Sequence, residues 1–309
     1  MPIQFTCPYC GETTLVDDPF AGHTGPCVNC GKLVTVPTGA PRYSLRTAVQ
    51  GVQRSNWQAA VVLSVFLLGL GIAAYAFYQS IGKPALVAAQ QSSAQRTCAS
   101  NLKKLGQALA AYHAQHGSYP PAYTVDATGK KLHSWRALIL PYLGPSEDSL
   151  YQQLNLDLPW DDPRNMMVAK HMPRVFASPL DPNSLSSQES NYKVIVGPKS
   201  AFPEAVDPKT GKPVASGRTQ SEIIDGLQNT LLVVEVVSNG KSWLEPDDLD
   251  FGMIDFQVGG DIGGSHNNGA NVLTADGEVY FLYNTTPSAE IEGMTTVAGG
   301  ENVLLPDPE

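Results

Sequence analysis

Four cysteines in the first thirty residues have the spacing to hold one metal ion. They stand as Cys7-Pro-Tyr-Cys10-Gly and Cys27-Val-Asn-Cys30-Gly, with sixteen residues between the pairs. Two thiolates on one tight turn grip a single ion, and the glycine after each pair supplies the backbone freedom that turn needs. The second pair completes a tetrahedral set of four sulfurs, which favours zinc or iron. The gap suits a zinc ribbon, so Cys7, Cys10, Cys27 and Cys30 are expected to bind one structural Zn2+. Two disulfides, or a redox Cys-x-x-Cys, would use the same residues, but a redox pair would need a βαβ context that the sequence lacks. His23 lies between the pairs as a possible substitute ligand, although a surface histidine explains it as well. A segment this short buries little core, so the metal would supply most of its folding energy.

A second group has the residue types for acid–base work: His266, Asp261, Asp276 and Glu235. Each also has a structural explanation, and ligand or metal binding near His266 is a third reading. Asp276 precedes Gly277 in a turn. His266 sits in a Gly/Ser/Asn-rich loop that its ring could fix by bonding to backbone. Glu235 falls in an apolar strand, where it could pair with Arg218 or a buried amide. No Gly-x-Ser-x-Gly, His-Glu-x-x-His or phosphate-binding loop is present. Trp135, Arg136, Trp160 and Asp161 could bind a sugar or peptide, or form a core aromatic group with a satisfied ion pair; the second reading is preferred. His113 and His116 could share a metal, or simply complement a helix dipole. No catalytic residue and no organic cofactor is assigned.

The elements that carry these residues can be read in outline. Trp57 to Tyr78 is uncharged over twenty-two residues, about 33 Å of helix, enough to span a bilayer core. Trp57 marks one interface, and Tyr75, Phe77 and Tyr78 mark the other. Gly69, Gly71, Ala73 and Ala74 could support helix–helix packing. Arg42, Arg46 and Arg54 precede the segment and only Lys83 closely follows it. The positive-inside rule then predicts a cytoplasmic N-terminus and an extracytoplasmic C-terminal domain at the inner (cytoplasmic) membrane. A cytoplasmic ribbon would keep its thiols reduced. An uncleaved signal-anchor is expected, because a 56-residue segment precedes the apolar run.

The expected division is a ribbon at 1–40, a linker at 41–56, a transmembrane helix at 57–79 and an extracytoplasmic domain at 85–309. Within that domain a helix spans about 85–116, a mixed sheet region 119–285 and a C-terminal tail 286–309. Gly82 and Pro84 interrupt the helical pattern. Cys98, Leu102, Leu105, Leu109 and Tyr112 then recur at spacings of four and three as one apolar stripe, and Gly117 and Pro120-Pro121 stop the helix. Cys98 on that stripe reads as a buried, inert thiol. A short helix is expected in LHSWRALILPYLG, and another in SEIID. Strands are expected at Tyr192–Val196, Leu231–Val237 and Asn271–Tyr283, the last bent at Asp276-Gly277 by a two-residue type I′ turn. A helix packed on an antiparallel sheet is an α+β arrangement.

Composition agrees with this division. The net charge of −9 lies almost wholly after the membrane segment, and 24 prolines and 28 glycines imply a turn-rich domain. An acidic domain is a poor nucleic-acid binder.

The stretch CASNLKKLGQALAAYHAQHGSYPPAY resembles the opening of the bacterial family of domain-of-unknown-function 1559. The segments GKKLHSWRALILPYL, LYQQLNLDLPWDDPRN, IIDGLQNTLLVVEV and KSWLEPDDLDF continue the likeness. SHNNGANVLTADGEVYFL resembles the family's C-terminal signature, a histidine and then Asp-Gly after nine residues: His266, Asp276 and Gly277. The likeness covers about residues 85–285. Many members carry a type IV prepilin leader, so the resemblance implies a pilin-like plan, a long helix packed on a sheet. Here no glycine followed by Phe-Thr-Leu-Ile-Glu precedes the apolar run, so neither leader cleavage nor incorporation into a pilus is expected. The expectation is a membrane-anchored, non-enzymatic envelope protein acting through protein contacts, self-association among them, with the membrane helix and the Cys98–Tyr112 stripe as contact surfaces. An extracytoplasmic ligand-binding or sensory module, with a concave pocket near His266 and Trp135, is the alternative; a hydrolase is a third.

Overall fold

A computed structural model describes residues 2–38, 45–204, 217–264 and 266–301, with backbone alone for 45–56. The chain divides into two units, Met1–Ser80 and Ile81–Glu309.

In the first unit two small hairpins repeat one plan. Strand β1 (Ile3–Thr6) pairs antiparallel with β2 (Thr13–Val16), and β3 (Thr24–Pro26) pairs antiparallel with β4 (Leu33–Thr35). Each hairpin carries one Cys-x-x-Cys turn. Helix α1 runs from Leu45 to Phe77. The expected linker at 41–56 is therefore helical from Leu45 onward, and its first residues, 41–44, lie outside the described set. From Trp57 to Ile81 every residue is exposed. Leu, Val, Ile and Phe side chains held in water would be costly at about 25 cal/mol per Å2. This helix is long and apolar enough to cross a membrane.

In the second unit helix α2 runs from Lys83 to His116, preceded by one π turn at Tyr78–Gly82. It ends where the sequence reading places its end, with Gly117 left-handed at φ +81° and its N–H donating to the His113 carbonyl. Next come β5 (Tyr123–Val125), β6 (Lys131–Ser134), α3 (Trp135–Leu138), α4 (Pro145–Tyr151), α5 (Pro163–Ala169) and α6 (Ser184–Ser187). The short helix expected in SEIID is a 3-10 helix at Gln220–Glu222, which overlaps only the first two residues of that segment. Four strands make the main sheet: β7 (Tyr192–Lys193), β9 (Leu231–Glu235), β11 (Gly269–Thr274) and β12 (Val279–Tyr283), in the order β12-β11-β9-β7, all antiparallel. Strand β8 (Ile195–Val196) leaves that sheet to pair in parallel with β10 (Leu249–Asp250), so the expected strand at Tyr192–Val196 is two short pieces.

The sheet is covered on both faces. On one, Leu102, Leu105 and Leu109 of α2 join Leu232 and Leu273 in a core that also holds Trp135, Phe176 and Trp243. On the other, Val234, Val272, Tyr280 and Leu282 meet Ile291 and Met294 of helix α7 (Ser288–Thr295). The expected C-terminal tail thus contains a packed helix; residues 302–309 lie outside the described set. Burial on both faces explains why β9 and β11 read as continuous apolar runs rather than alternating ones.

Two expectations need correction. The hairpin turn is not type I′, which requires φ > 0 at both central residues. Gly277 is left-handed at φ +86°, but Asp276 is not. The Gly277 N–H donates to the Thr274 carbonyl and the Thr274 N–H to the Glu278 carbonyl. That is a three-residue loop, Ala275-Asp276-Gly277, with glycine at the bulge. Second, the stripe at Cys98, Leu102, Leu105 and Leu109 is buried within the domain's own core. It is not a free surface for association.

Candidate functional site

The ribbon cysteines converge. The four sulfurs lie within 4.8 Å of one another, with Cys7–Cys30 and Cys10–Cys27 each at 3.8 Å. A tetrahedral ion with metal–sulfur bonds of about 2.3 Å needs sulfurs about 3.8 Å apart. The two turns are near copies. In each, the glycine after the second cysteine is left-handed, at φ +72° for Gly11 and +71° for Gly31. Its N–H donates to the carbonyl of the first cysteine, and the N–H of the first cysteine donates to the residue after the glycine (Cys7 to Glu12, Cys27 to Lys32). At Cys27, the backbone N–H groups of Cys30 and Asn29 favour the thiolate and hold the thiol down to about 6. At Cys10 the Glu12 backbone amide pulls the same way, but desolvation and the three neighbouring cysteines override it and push the thiol up to about 11. Sulfurs this crowded resist joint ionisation until a cation lies between them. His23 stays exposed, with Nδ1 3.3 Å from the Ala21 carbonyl, apart from the cysteine group.

The second convergence involves residues far apart in sequence. At the end of β9, Glu235 projects into the core. Its Oε2 accepts from the Asn271 backbone N–H at 2.7 Å and from Asn271 Nδ2 at 3.1 Å, and its Oε1 lies 3.3 Å from His266 Nε2. The His266 and Glu235 side chains are only 2% and 1% exposed. The backbone at Gly264 passes so close that an added Cβ would lie 3.1 Å from both Glu235 Oε2 and His266 Cδ2. Cys98 arrives from α2, and its Sγ, the Glu235 carboxylate and a His266 ring nitrogen lie within 4.8 Å of one another. Cys98 also meets Ser178 Oγ at 3.4 Å, and burial with the Glu235 charge pushes its thiol up to about 12. The inert, buried thiol expected at Cys98 is what its surroundings produce in the absence of a cation.

The remaining candidates separate. Glu235 pairs with the Asn271 amide, not with Arg218, whose guanidinium donates to the carbonyls of Ser200 and Pro198. Asp276 Oδ1 accepts from Thr274 Oγ1 at 2.6 Å and the Glu278 N–H at 3.1 Å, so it serves its turn. Asp261 is exposed and bonded to Asp255. Among the described residues the His266 ring meets Glu235 and Asn271, and not the loop backbone as expected. His113 and His116 take separate partners, the Gln220 N–H and the Tyr142 hydroxyl.

Trp135 and Arg136 are fully buried, and their acid is Asp248. Its Oδ1 accepts from Arg136 Nη2 at 2.9 Å, Trp135 Nε1 at 3.1 Å and the Val194 N–H at 3.1 Å. Asp161 is exposed and Trp160 half-buried, so neither completes that group. The Trp135 and His266 side chains are both closed off from solvent, so neither lines the concave pocket expected near them. Asp248 and Asn271 were missed in sequence. Nothing local marks Asp248 as the partner of a residue 112 positions earlier.

The model of a protein family of unknown function, DUF1559, matches residues 88–258. The chain belongs to the DUF1559 family. The match takes in α2 from residue 88 onward, Cys98, Arg136, Glu235 and Asp248, and ends before His266, Asp276 and Gly277. No curated protein and no solved structure matches this DUF1559 chain.

Proposed function

We propose that this DUF1559 protein is a membrane-anchored, non-enzymatic envelope protein that acts through protein contacts. The observation that carries the reading is the exposure of every residue from Trp57 to Ile81, an apolar helix that needs lipid or a partner around it. The following helix, packed along an antiparallel sheet, supports a pilin-like plan for the C-terminal domain. The arginines before the anchor support a cytoplasmic N-terminus, with the ribbon holding one structural zinc in a reducing compartment. Because the Cys98–Leu109 stripe is used internally, contacts fall to the anchor helix and the exposed first turns of α2, including Leu86 and Val87.

Single cysteines introduced along Trp57–Tyr78 test this in native membranes. Oxidation should give crosslinked species at positions three or four apart, on one helix face. A chain that stays uncrosslinked at every position, to itself and to other proteins, would remove the contact role.

A further inference from the structure

We propose that Cys98, Glu235 and His266 form a second metal site, inside the C-terminal domain, taking one borderline divalent cation of the zinc or iron(II) class. The three side chains come from α2, β9 and the loop before β11, and their donor atoms already lie within 4.8 Å of one another. The imidazole nitrogen and carboxylate oxygen are 3.3 Å apart, about the separation of two ligands each about 2 Å from a zinc ion. Thiolate, imidazole and carboxylate together suit such an ion.

Charge and an orphan atom point the same way. Glu235 has no lysine or arginine partner among the described residues; its partners are Asn271 and His266. A carboxylate in so dry a place is costly unless a cation compensates it. One thiolate, one carboxylate and a divalent ion sum to zero, the least costly state for a core. On binding, the Cys98 thiol gives its proton to solvent as the sulfur–metal bond forms. Asn271 is fully buried, and its Oδ1 has no hydrogen-bond partner. Its amide head is at the cluster, with Nδ2 3.1 Å from Glu235 and 3.4 Å from His266 Nε2. A half-turn of the amide brings the oxygen there instead, a placement that repels the carboxylate unless a cation sits between them. Asn271 Oδ1 is then the fourth ligand.

The test uses the full chain in detergent, with the ribbon silenced by Cys7→Ser, Cys10→Ser, Cys27→Ser and Cys30→Ser. Cobalt(II) is the probe, read by its thiolate charge-transfer absorption, with zinc content from elemental analysis alongside. The unaltered chain should hold two ions and the silenced chain one. Adding Cys98→Ala, or separately His266→Gln, should lower that one to near zero, while cooperative thermal unfolding shows that the domain remains folded. A folded, ribbon-silenced chain that takes up no cobalt overturns the proposal. So does a charge-transfer band that survives Cys98→Ala.

Discussion

Arg136 is buried to 1% exposure, and its guanidinium meets three needs at once: an ion pair with Asp248 and two bonds to the Tyr192 carbonyl at 3.1 and 2.7 Å. Asp248 in turn ties α3 to β7 and β8 through Trp135 and the Val194 N–H. Removing one partner leaves the other as an uncompensated buried charge, which costs about 3–5 kcal/mol. Asp248→Ala should therefore destabilise the C-terminal domain by about that amount, measured by urea unfolding in detergent. A loss below about 1 kcal/mol would place the pair among solvent-screened ones. Aromatic and arginine neighbours at 135 and 136 were legible in sequence as a core pair. Their acid was not, because pairing at a separation of 112 residues is set by topology and not by local pattern.

At the scale of elements, α2 can approach the sheet because Gly106 faces Leu273. A Cβ at Gly106 would lie 2.9 Å from Leu273 Cδ1. Gly106→Leu should cost about 1–3 kcal/mol through overpacking, whereas Gly277→Ala, in open space but left-handed, should cost about 1–2 kcal/mol from backbone strain alone. The two are separable: a volume-reducing Leu273→Ala should partly rescue Gly106→Leu and leave Gly277→Ala unchanged in a double-mutant cycle. No rescue would mean that the glycine is not a packing device. The existence of the hairpin was legible from Asp276-Gly277 between two apolar runs. Its turn type was not, because Ala275 joins the loop and only the paired register of Leu273 with Val279 reveals that.

For the whole molecule, the proposed membrane anchor carries a prediction of orientation. A reporter fused after Glu309 should be active only outside the cytoplasm, and activity inside would reverse the orientation proposed from Arg42, Arg46 and Arg54. Chelation offers a second reading. Stripping metal from the full chain should melt the ribbon, which buries few large side chains apart from the cysteine turns. It should leave the secondary structure of the C-terminal domain intact, because that domain has its own two-faced core. Circular dichroism after chelation checks this; a global loss of helix would contradict it.

The cysteine spacing, the uncharged span and the helix stop at Gly117 were settled by sequence alone, because each is a short-range pattern whose physics acts within one turn or one helix. Family membership was equally legible from ordered motifs. Only the tertiary structure decided that the α2 stripe is covered, that Asp248 satisfies Arg136, and that Cys98, Glu235 and His266 meet. Those outcomes depend on strands from distant parts of the chain pairing in one register, and no window of sequence contains that information.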